Sequence, residues 1–322
     1  MSTSNYGLPD GTEDFVGLKA KELEDLRSLF LSYFYKNDCE LVMPSLIEFS
    51  EAIGGNANAS LKDYAYTFAD ENLKDISIRP DISQQIARID LQKGTKNKNK
   101  YCYFGETLRK TKDSLTKSKI AFKTGVEIFG KISLSDEIDL IKLMLLSLKK
   151  AGKYKLTISL GRTEPMAELL NGLDLSFNDN RKLKKIISSK SKTDLEEFFK
   201  SKSLNSRSLL EIKNLMAVCG KIECLKFLKK HKNKVFKDSA KKIEKIIKNL
   251  PSSVDYHLDF SDFPGFDYHS GLVFSVHVAE FGFSIAKGGQ YKSIQNDIVR
   301  EAIGFDINVS SLTKLNQKND LR

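Results

Sequence analysis

Apolar and polar positions along the first half of the chain follow a helical period in three places. Apolar residues at helical spacing predict a helix over Leu18–Asn37. A second helical pattern runs through Ile82, Ile86 and Ile89, and Asp81 or Ser83 is suited to cap its start. A third helix is predicted from Asp136 onward, where apolar residues recur at the same spacing.

Strand-like runs lie between these helices. The two longest, Tyr101–Leu108 and Ile120–Phe129, are separated by a polar, lysine-rich loop, and together they predict a long antiparallel hairpin. Shorter runs predict strands at Cys39–Val42, Ile76–Ile78 and Leu156–Leu160. Two glycine- and asparagine-rich stretches, Gly54–Asn58 and Gly94–Lys100, are predicted to be a mobile loop and a solvated connector.

The second half of the chain begins with helical patterns and ends with strands. Strands are predicted at His257–Phe260, Leu272–Ala279, Phe281–Ala286 and Ile303–Val309. Strands on both sides of a helical block indicate an α+β protein with one antiparallel sheet domain and one insertion. We therefore predict a discontinuous core domain at residues 1–161 and 251–322, and a basic helical insertion domain at residues 162–250.

The composition is that of a globular protein, with 322 residues, 40% hydrophobic and 29% charged. No apolar stretch approaches the roughly 20 residues that a membrane-spanning helix needs. The first residues lack the basic segment followed by an apolar one that marks a secretory signal. These features predict a cytoplasmic protein without a membrane partner.

Positive charge is concentrated in one segment. Arg181–Lys248 contains 21 basic and 7 acidic residues, a local net charge of +14, although the whole chain carries only +10. Such a segment can meet a nucleic acid or an acidic protein surface. Its lysines alternate with apolar residues at helical spacing, so we favour solvated helix faces over a nucleic-acid surface.

Neither the cysteines nor the histidines indicate a metal site by their spacing. The four cysteines, Cys39, Cys102, Cys219 and Cys224, contain no Cys-x-x-Cys pair. His257, His269 and His277 lie close in sequence, but no acidic or cysteine partner stands at a recognisable ligand spacing from them. The sequence therefore predicts no metal and no cofactor.

Charged residues at the ends of predicted strands are the candidates for ligand binding. Arg79 and Asp81 follow one strand, Arg109 ends the next, and Glu127 lies across the hairpin. The planar fork of an arginine binds phosphate or carboxylate, and two carboxylates can hold an ammonium group. An amino acid or a nucleotide suits such a set, although each pair alone is more often a structural ion pair.

Taken in order, these segments resemble the histidyl-tRNA synthetase family of class II synthetases. The resemblance runs from Gly7 to about Leu312. It includes the following segments: Arg79–Ser83, Phe104–Arg109, Gly125–Gly130, Gly265–Gly271, Gly288–Tyr291 and Ala302–Phe305. Within that family, the chain is most similar to the non-catalytic paralogues, the regulatory subunits of ATP phosphoribosyltransferase.

The resemblance implies a class II synthetase-like antiparallel sheet flanked by helices and a vestigial histidine pocket. That pocket comprises the residues Asp81, Arg109, Glu127, Asp267 and Tyr268. The resemblance also implies a hetero-oligomer with a short-form ATP phosphoribosyltransferase catalytic subunit, a self-dimer formed around Pro44, and histidine as an effector. It implies no cofactor, no catalytic activity and no nucleic-acid partner.

Four departures from the enzymes of the family carry the prediction that this chain does not activate histidine. Pro264 stands where the enzymes have an arginine, and Ser310 and Ser311 replace a Glu-Arg pair whose arginine contacts ATP phosphate. Lys110–Lys112 replaces an Arg-His-Glu run, and Lys123 replaces a glutamine that contacts the histidine ammonium. Removing one preorganised donor typically costs about 100-fold to 1000-fold in rate, so the combined losses should abolish adenylation.

Only ten residues follow Leu312, too few for an anticodon-binding domain, which takes on the order of 100 residues. We therefore expect no such domain. An alternative stays open at this point: a tRNA-binding or histidyl-tRNA synthetase-like protein with residual histidine activation. Histidine-dependent pyrophosphate exchange, or salt-dependent RNA binding, would distinguish it from a regulatory subunit.

Overall fold

In the computed structural model, the described residues are 7–53, 61–94, 97–113, 116–261, 269–279, 281–295 and 298–320. They form two compact units. The first comprises residues 1–131, 143–154 and 293–322, and the second comprises residues 132–142 and 155–292. Within the described ranges, every helix is too short or too polar to cross a bilayer. The predicted mobile loop Gly54–Asn58 lies outside the described residues.

The first unit contains the predicted hairpin and the helices around it. Its helices are α1 (Leu18–Tyr35), α2 (Leu61–Tyr64), α3 (Ser83–Lys93) and α11 (Val309–Asp320). Its strands are β1 (Glu40–Leu41), β2 (Ile47–Phe49), β3 (Thr67–Ala69), β4 (Asp75–Ile78), β5 (Asn99–Leu108), β6 (Ile120–Phe129) and β12 (Ile298–Asn308). The boundary between the two units falls within α4 (Leu134–Ala151) and near the end of β11 (Ser284–Gln295).

The long hairpin is confirmed over its whole length. Strands β5 and β6 pair antiparallel from Asn99 opposite Phe129 to Leu108 opposite Ile120, and β12 adds to the other side of β6. Helix α1 covers this sheet with the apolar stripe predicted from its spacing, and Phe34 packs edge-on against Phe305 with ring centroids 5.9 Å apart. The core of this unit therefore lies between α1 and the sheet.

A small second sheet in the same unit was not predicted completely. Strand β4 pairs antiparallel with β2 on one side and with β3 on the other. The hydroxyl of Ser77 in β4 lies 2.6 Å from that of Ser50 and 2.8 Å from that of Thr67. Sequence periodicity identified only β4, because three-residue strands are too short to show an alternation.

In its described residues, the second unit combines five strands with a set of short helices. Its strands, in spatial order, are β11 (Ser284–Gln295), β10 (His269–Val278), β7 (Leu156–Arg162), β9 (Asp255–Asp259) and β8 (Cys219–Gly220). Its helices are α5 (Glu164–Asn171), α6 (Phe177–Ser188), α7 (Lys192–Ser201), α8 (Ser206–Met216), α9 (Lys226–Lys230) and α10 (Lys234–Lys248), with a 3-10 turn at Ile222–Leu225. Neighbouring strands are antiparallel except β7 and β9, which are parallel.

Polar side chains cap the N-termini of four helices in the second unit. The side chains of Ser176, Ser191, Asn205 and Asn233 accept hydrogen bonds from backbone N–H groups in the first turns of α6, α7, α8 and α10. Such caps satisfy donors that the helix itself leaves without partners. The apolar face of α10 is buried while its lysines face outward, as its amphipathic pattern predicts.

Several predicted boundaries are wrong, because the helix predicted from Asp136 begins at Leu134 and the strands predicted from Leu272 and Ile303 begin at His269 and Ile298. Val309 begins helix α11 instead of ending the last strand, because the Asn308 side chain accepts a hydrogen bond from Ser311 N and caps a helix there. The strand predicted from Phe281 begins at Ser284. The division into a core domain and an insertion at residues 162–250 stays a prediction. The second compact unit contains the helices of that segment together with strands β7 to β11.

Candidate functional site

One face of the sheet in the first unit is polar, and the strand register decides which residues share it. On β6, Lys123, Gly125 and Glu127 point to the same side because successive residues of a strand alternate. Their partners across the sheet share that side, namely Tyr101, Tyr103 and Gly105 on β5 and Gly304, Asp306 and Asn308 on β12. We call this surface the polar sheet face.

The structure brings Asp81 and Arg109 together in an ion pair. The guanidinium Nη2 of Arg109 lies 3.2 Å from the carboxylate Oδ2 of Asp81, and its Nε donates to the carbonyl of Pro80 over 2.8 Å. The other Asp81 oxygen accepts a hydrogen bond from Ser83 N at the start of α3. Arg109 is therefore held beside Asp81 by two contacts.

Lys123 points inward, and its ammonium lies among carboxylates. Only 6% of the residue is exposed. Its Nζ is 3.3 Å from Asp306 Oδ2 and 3.7 Å from Asp81 Oδ2. An amino-acid ligand would bring its own ammonium to the same kind of carboxylate environment. The protein thus supplies from its own chain the positive charge that a ligand would otherwise provide.

Glu127 is fully buried on the polar sheet face, and a glycine on the neighbouring strand makes room for it. A methyl group at Gly304, its partner on β12, would overlap the Glu127 carboxylate. A methyl group at Gly125 would lie 2.1 Å from the carbonyl oxygen of Phe305 and 2.6 Å from the hydroxyl of Tyr103. Burial raises the pKa of Tyr103 well above its ordinary value, and the charges of Asp306, Glu127 and Asp81 act in the same direction. All three carboxylates therefore oppose ionisation of the Tyr103 phenol.

Arg79, a candidate ligand of phosphate or carboxylate, is instead used to hold backbone carbonyls. Its Nε donates to Glu106 O over 2.6 Å, and Nη1 donates to Pro44 O over 2.8 Å. A methyl group at Gly105 would lie 2.5 Å from Nη2, so this glycine leaves space for the guanidinium. Arg79 is buried, and desolvation lowers its pKa. Its contacts make it a structural residue that fixes the chain near Pro44.

Ser310 and Ser311 take part in the fold. The Ser310 hydroxyl accepts a hydrogen bond from Phe122 N over 2.9 Å, and Ser311 N donates to the Asn308 side chain. Both serines are buried and neutral. Of the other predicted site residues, Asp267 and Tyr268 lie outside the described residues, as does Pro264.

The charges that meet on this face are close to balanced. Asp81, Glu127 and Asp306 contribute three carboxylates, and Lys123 and Arg109 contribute two cations. In surroundings that exclude water, such ion pairs interact more strongly than they do at an exposed surface. An amino-acid ammonium can bind here only if it displaces Lys123 or shares the carboxylates with it.

A second cluster of chemically active side chains, in the second unit, was missed by the sequence analysis. Cys219 Sγ lies 3.2 Å from His257 Nε2, and one potential ligand atom from each of Cys219, His257 and Asp259 lies within 4.8 Å of the others. Cys219 and His257 are 38 residues apart in the chain. Their contact depends on the pairing of β8 with β9, and β8 is a two-residue strand that leaves no periodic signal.

A mostly antiparallel sheet with covering helices and a buried, charged face is the core fold of class II aminoacyl-tRNA synthetases. The chain belongs to the histidyl-tRNA synthetase family, whose model matches residues 11–312. Among curated proteins, it is 26% identical to the ATP phosphoribosyltransferase regulatory subunit of Hydrogenovibrio crunogenus, over 96% of this chain and 82% of that protein. The predicted family and fold class are thereby confirmed.

Solved structures support the same fold. An ATP phosphoribosyltransferase regulatory subunit/histidyl-tRNA synthetase from Bacillus halodurans aligns with a TM-score of 0.82 and 19% identity, over 98% of this chain and 84% of that one. A chain of the ATP phosphoribosyl transferase (HisG:HisZ) complex from Thermotoga maritima aligns with a TM-score of 0.64 and 16% identity, over 92% of this chain and 98% of that one.

Proposed function

We propose that this protein is a non-catalytic regulatory subunit of ATP phosphoribosyltransferase in the cytoplasm. It would be needed for the first step of histidine biosynthesis and would make that step sensitive to histidine. The proposal rests on a curated relative that has this name and matches nearly the whole chain. It is also supported by the polar sheet face, where Lys123 occupies the carboxylates and Ser310 and Ser311 offer no charge to a phosphate.

The partner in this proposal is a short-form catalytic subunit of the same enzyme. One structural neighbour is a chain of an ATP phosphoribosyl transferase complex. The decisive experiment measures ATP phosphoribosyltransferase activity of the catalytic subunit from the same organism, with and without this protein, across a histidine titration. We expect activation together with histidine inhibition that appears only when this chain is present. An unchanged rate and unchanged inhibition would refute the proposal.

Feedback control further requires that histidine bind two states of the assembly with different affinity. We propose that the effector site is the vestigial pocket formed by Asp81, Arg109, Glu127, Asp267 and Tyr268. The meeting of Asp81 with Arg109 and the burial of Glu127 beside Tyr103 support this assignment. Because Lys123 lies at the same carboxylates, histidine must displace its ammonium or share the carboxylates with it, and displacement would couple binding to a local rearrangement.

The pocket assignment is tested with the double variant Asp81→Asn/Glu127→Gln in the reconstituted complex. These changes remove both charges while keeping the side-chain shapes, so the fold should survive. We expect basal activity to remain and histidine inhibition to be lost. A matched control, Asp63→Asn/Glu71→Gln, changes two exposed carboxylates of the same unit and should leave inhibition intact. Inhibition that persists in the first variant would remove the effector site from this pocket.

We also propose a self-dimer that buries the region around Pro44. Four large apolar side chains there are exposed, and they are Met43, Leu46, Ile47 and Phe49. An exposed apolar patch of this kind commonly marks a protein interface. Sedimentation analysis of Ile47→Ser/Phe49→Ser should show a shift toward monomer. The change Leu210→Ser, at an exposed apolar residue of helix α8, should leave the association state unchanged.

The basic segment gives the alternative of an RNA-binding protein little support. Several of its lysines are paired with carboxylates of the same unit, for example Lys202 with Asp179 over 2.8 Å and Lys229 with Glu244. We expect no histidine-dependent pyrophosphate exchange and no tight RNA binding at physiological salt. Steeply salt-dependent binding of RNA to this protein would instead favour the alternative.

A further inference from the structure

Strands β8 and β9, at the edge of the sheet in the second unit, carry three neighbouring side chains of types that bind metal ions. His257 and Asp259 are two residues apart on β9, so they point to the same face. Cys219 on β8 lies directly opposite Asp259 in the antiparallel pair β8–β9 and therefore shares that face. Backbone pairing thus places a thiol, an imidazole and a carboxylate together without help from any loop.

The distances within this group are close to those of a coordination shell. Zinc binds Cys, His and carboxylate ligands at about 2.0 to 2.3 Å, so ligand atoms around a tetrahedral ion lie about 3.3 to 3.6 Å apart. Here Cys219 Sγ and His257 Nε2 are 3.2 Å apart, and the farthest pair is within 4.8 Å. Side-chain adjustments of about 1 Å would bring all three atoms to one ion.

A cation already occupies this group. The ammonium of Lys190 lies 2.6 Å from Asp259 Oδ2 and 3.8 Å from Cys219 Sγ. The other Asp259 oxygen accepts hydrogen bonds from the Ser261 N–H and hydroxyl, which orient the carboxylate toward the group. The Lys190 side chain is 44% exposed, so it can move into solvent when another cation binds.

We propose that Cys219 Sγ, His257 Nε2 and Asp259 Oδ2 bind a Zn²⁺ ion that displaces the ammonium of Lys190. Sulfur and nitrogen ligands favour zinc over magnesium or calcium, which prefer oxygen. Three protein ligands leave one position for water, on the side where Cys219 is exposed. The ion would join the edge strand β8 to β9.

The test uses the full-length, untagged protein after chelator treatment under reducing conditions, with Zn²⁺ alone as the probe. Competition with a chromophoric chelator should give one ion per chain, and Co²⁺ should produce the thiolate charge-transfer absorption that reports a Cys–metal bond. Zn²⁺ should also protect Cys219 from alkylation, as read by peptide mass spectrometry. The proposal would be overturned if the protein took up no Zn²⁺, or if the protein loaded with Co²⁺ lacked the thiolate absorption.

Variants assign the site to these residues. Cys219→Ser and His257→Gln should each weaken Zn²⁺ binding about tenfold or more, whereas Cys224→Ser, five residues along, should not. Lys190→Met removes the competing ammonium and should tighten binding roughly three- to tenfold. Its control, Lys221→Met, changes a lysine that pairs with Asp255 and should leave affinity unchanged. Binding that survives Cys219→Ser, or that weakens in Lys190→Met, would place the ion elsewhere.

Discussion

Lys123 Nζ lies 3.3 Å from Asp306 Oδ2, and the two side chains are only 8% and 13% exposed. They reach each other from neighbouring strands, and Asp81 completes the group at 3.7 Å from the same ammonium. The ammonium of Lys123 therefore offsets part of the negative charge of these two aspartates.

Replacing Lys123 by glutamine should make the carboxylates of Asp81 and Asp306 available to the ammonium of a bound histidine. Without the Lys123 ammonium, less positive charge balances the carboxylates of Asp81 and Asp306. The ligand-free protein should therefore lose about 1 to 3 kcal/mol of unfolding free energy. Histidine should then bind more tightly than it does to the original protein, because its ammonium no longer competes with Lys123. Isothermal titration and histidine-dependent melting measure both effects.

The control for this change is Lys119→Gln. Lys119 belongs to the same unit, but its ammonium lies near the ring of Tyr66 and not among the pocket carboxylates. The change Lys119→Gln should alter histidine binding and stability much less than Lys123→Gln does. Equal histidine affinity in Lys123→Gln and the original protein would show that the ammonium of Lys123 does not obstruct the pocket.

The change Gly304→Ala should disturb the pocket through Glu127. A methyl group at this position overlaps the Glu127 carboxylate, so that buried side chain or strand β12 must move. Overpacking of this kind typically costs about 1 to 3 kcal/mol. Chemical denaturation should therefore show a clear loss for Gly304→Ala. Gly282→Ala, where the added methyl meets nothing within 4 Å, should remain close to the original stability.

Arg162 and Glu137 form a buried ion pair whose disruption should strongly destabilise the second unit. Arg162 Nη1 lies 2.7 Å from Glu137 Oε2, and Glu164 adds a further contact at 2.7 Å from Nη2. Desolvation lowers the pKa of Arg162, but the two carboxylates outweigh it and raise the pKa. Glu137→Ala should cost about 3 to 5 kcal/mol, because it removes one partner of a buried charge.

Replacing both partners distinguishes the net contribution of the ion pair from the cost of leaving one charge buried without its partner. The double variant Arg162→Met/Glu137→Met exchanges the two charges for apolar side chains, and it should recover a large part of the stability lost in Glu137→Ala. Urea unfolding followed by circular dichroism measures all three proteins. If Glu137→Ala costs less than about 1 kcal/mol, the pair contributes no more than a surface ion pair does.

Thiol reactivity should differ sharply among the cysteines. Burial raises the pKa of Cys39 to about 11 and that of Cys102 to about 12. Burial likewise raises the pKa of Cys224 to about 11. Because the thiolate is the reacting form, these three thiols should resist iodoacetamide at pH 8. Exposed Cys219 should label first in a mass-spectrometric time course, and labelling of Cys102 before Cys219 would contradict this order.

Local signals in the sequence predicted the long helices and strands of the first unit well, missed its short strands β2 and β3, and left the contacts of the candidate site open. The period-two runs of β5 and β6 are long enough to define strands, and their pairing follows from one connecting loop. Asp81 and Arg109 are 28 residues apart and follow strands of two different sheets, so local order alone does not fix their contact. The sequence left open whether Lys123 points inward, because that depends on which face of β6 is covered.

By itself, the sequence determined the family and the order of most helices and strands. These properties depend on residue types and short-range periodicity. Only the tertiary structure decided that Lys123 lies between Asp81 and Asp306 and that Cys219 meets His257. Both groups contain residues that are distant in sequence, and they meet because distant strands pair, which local periodicity does not encode.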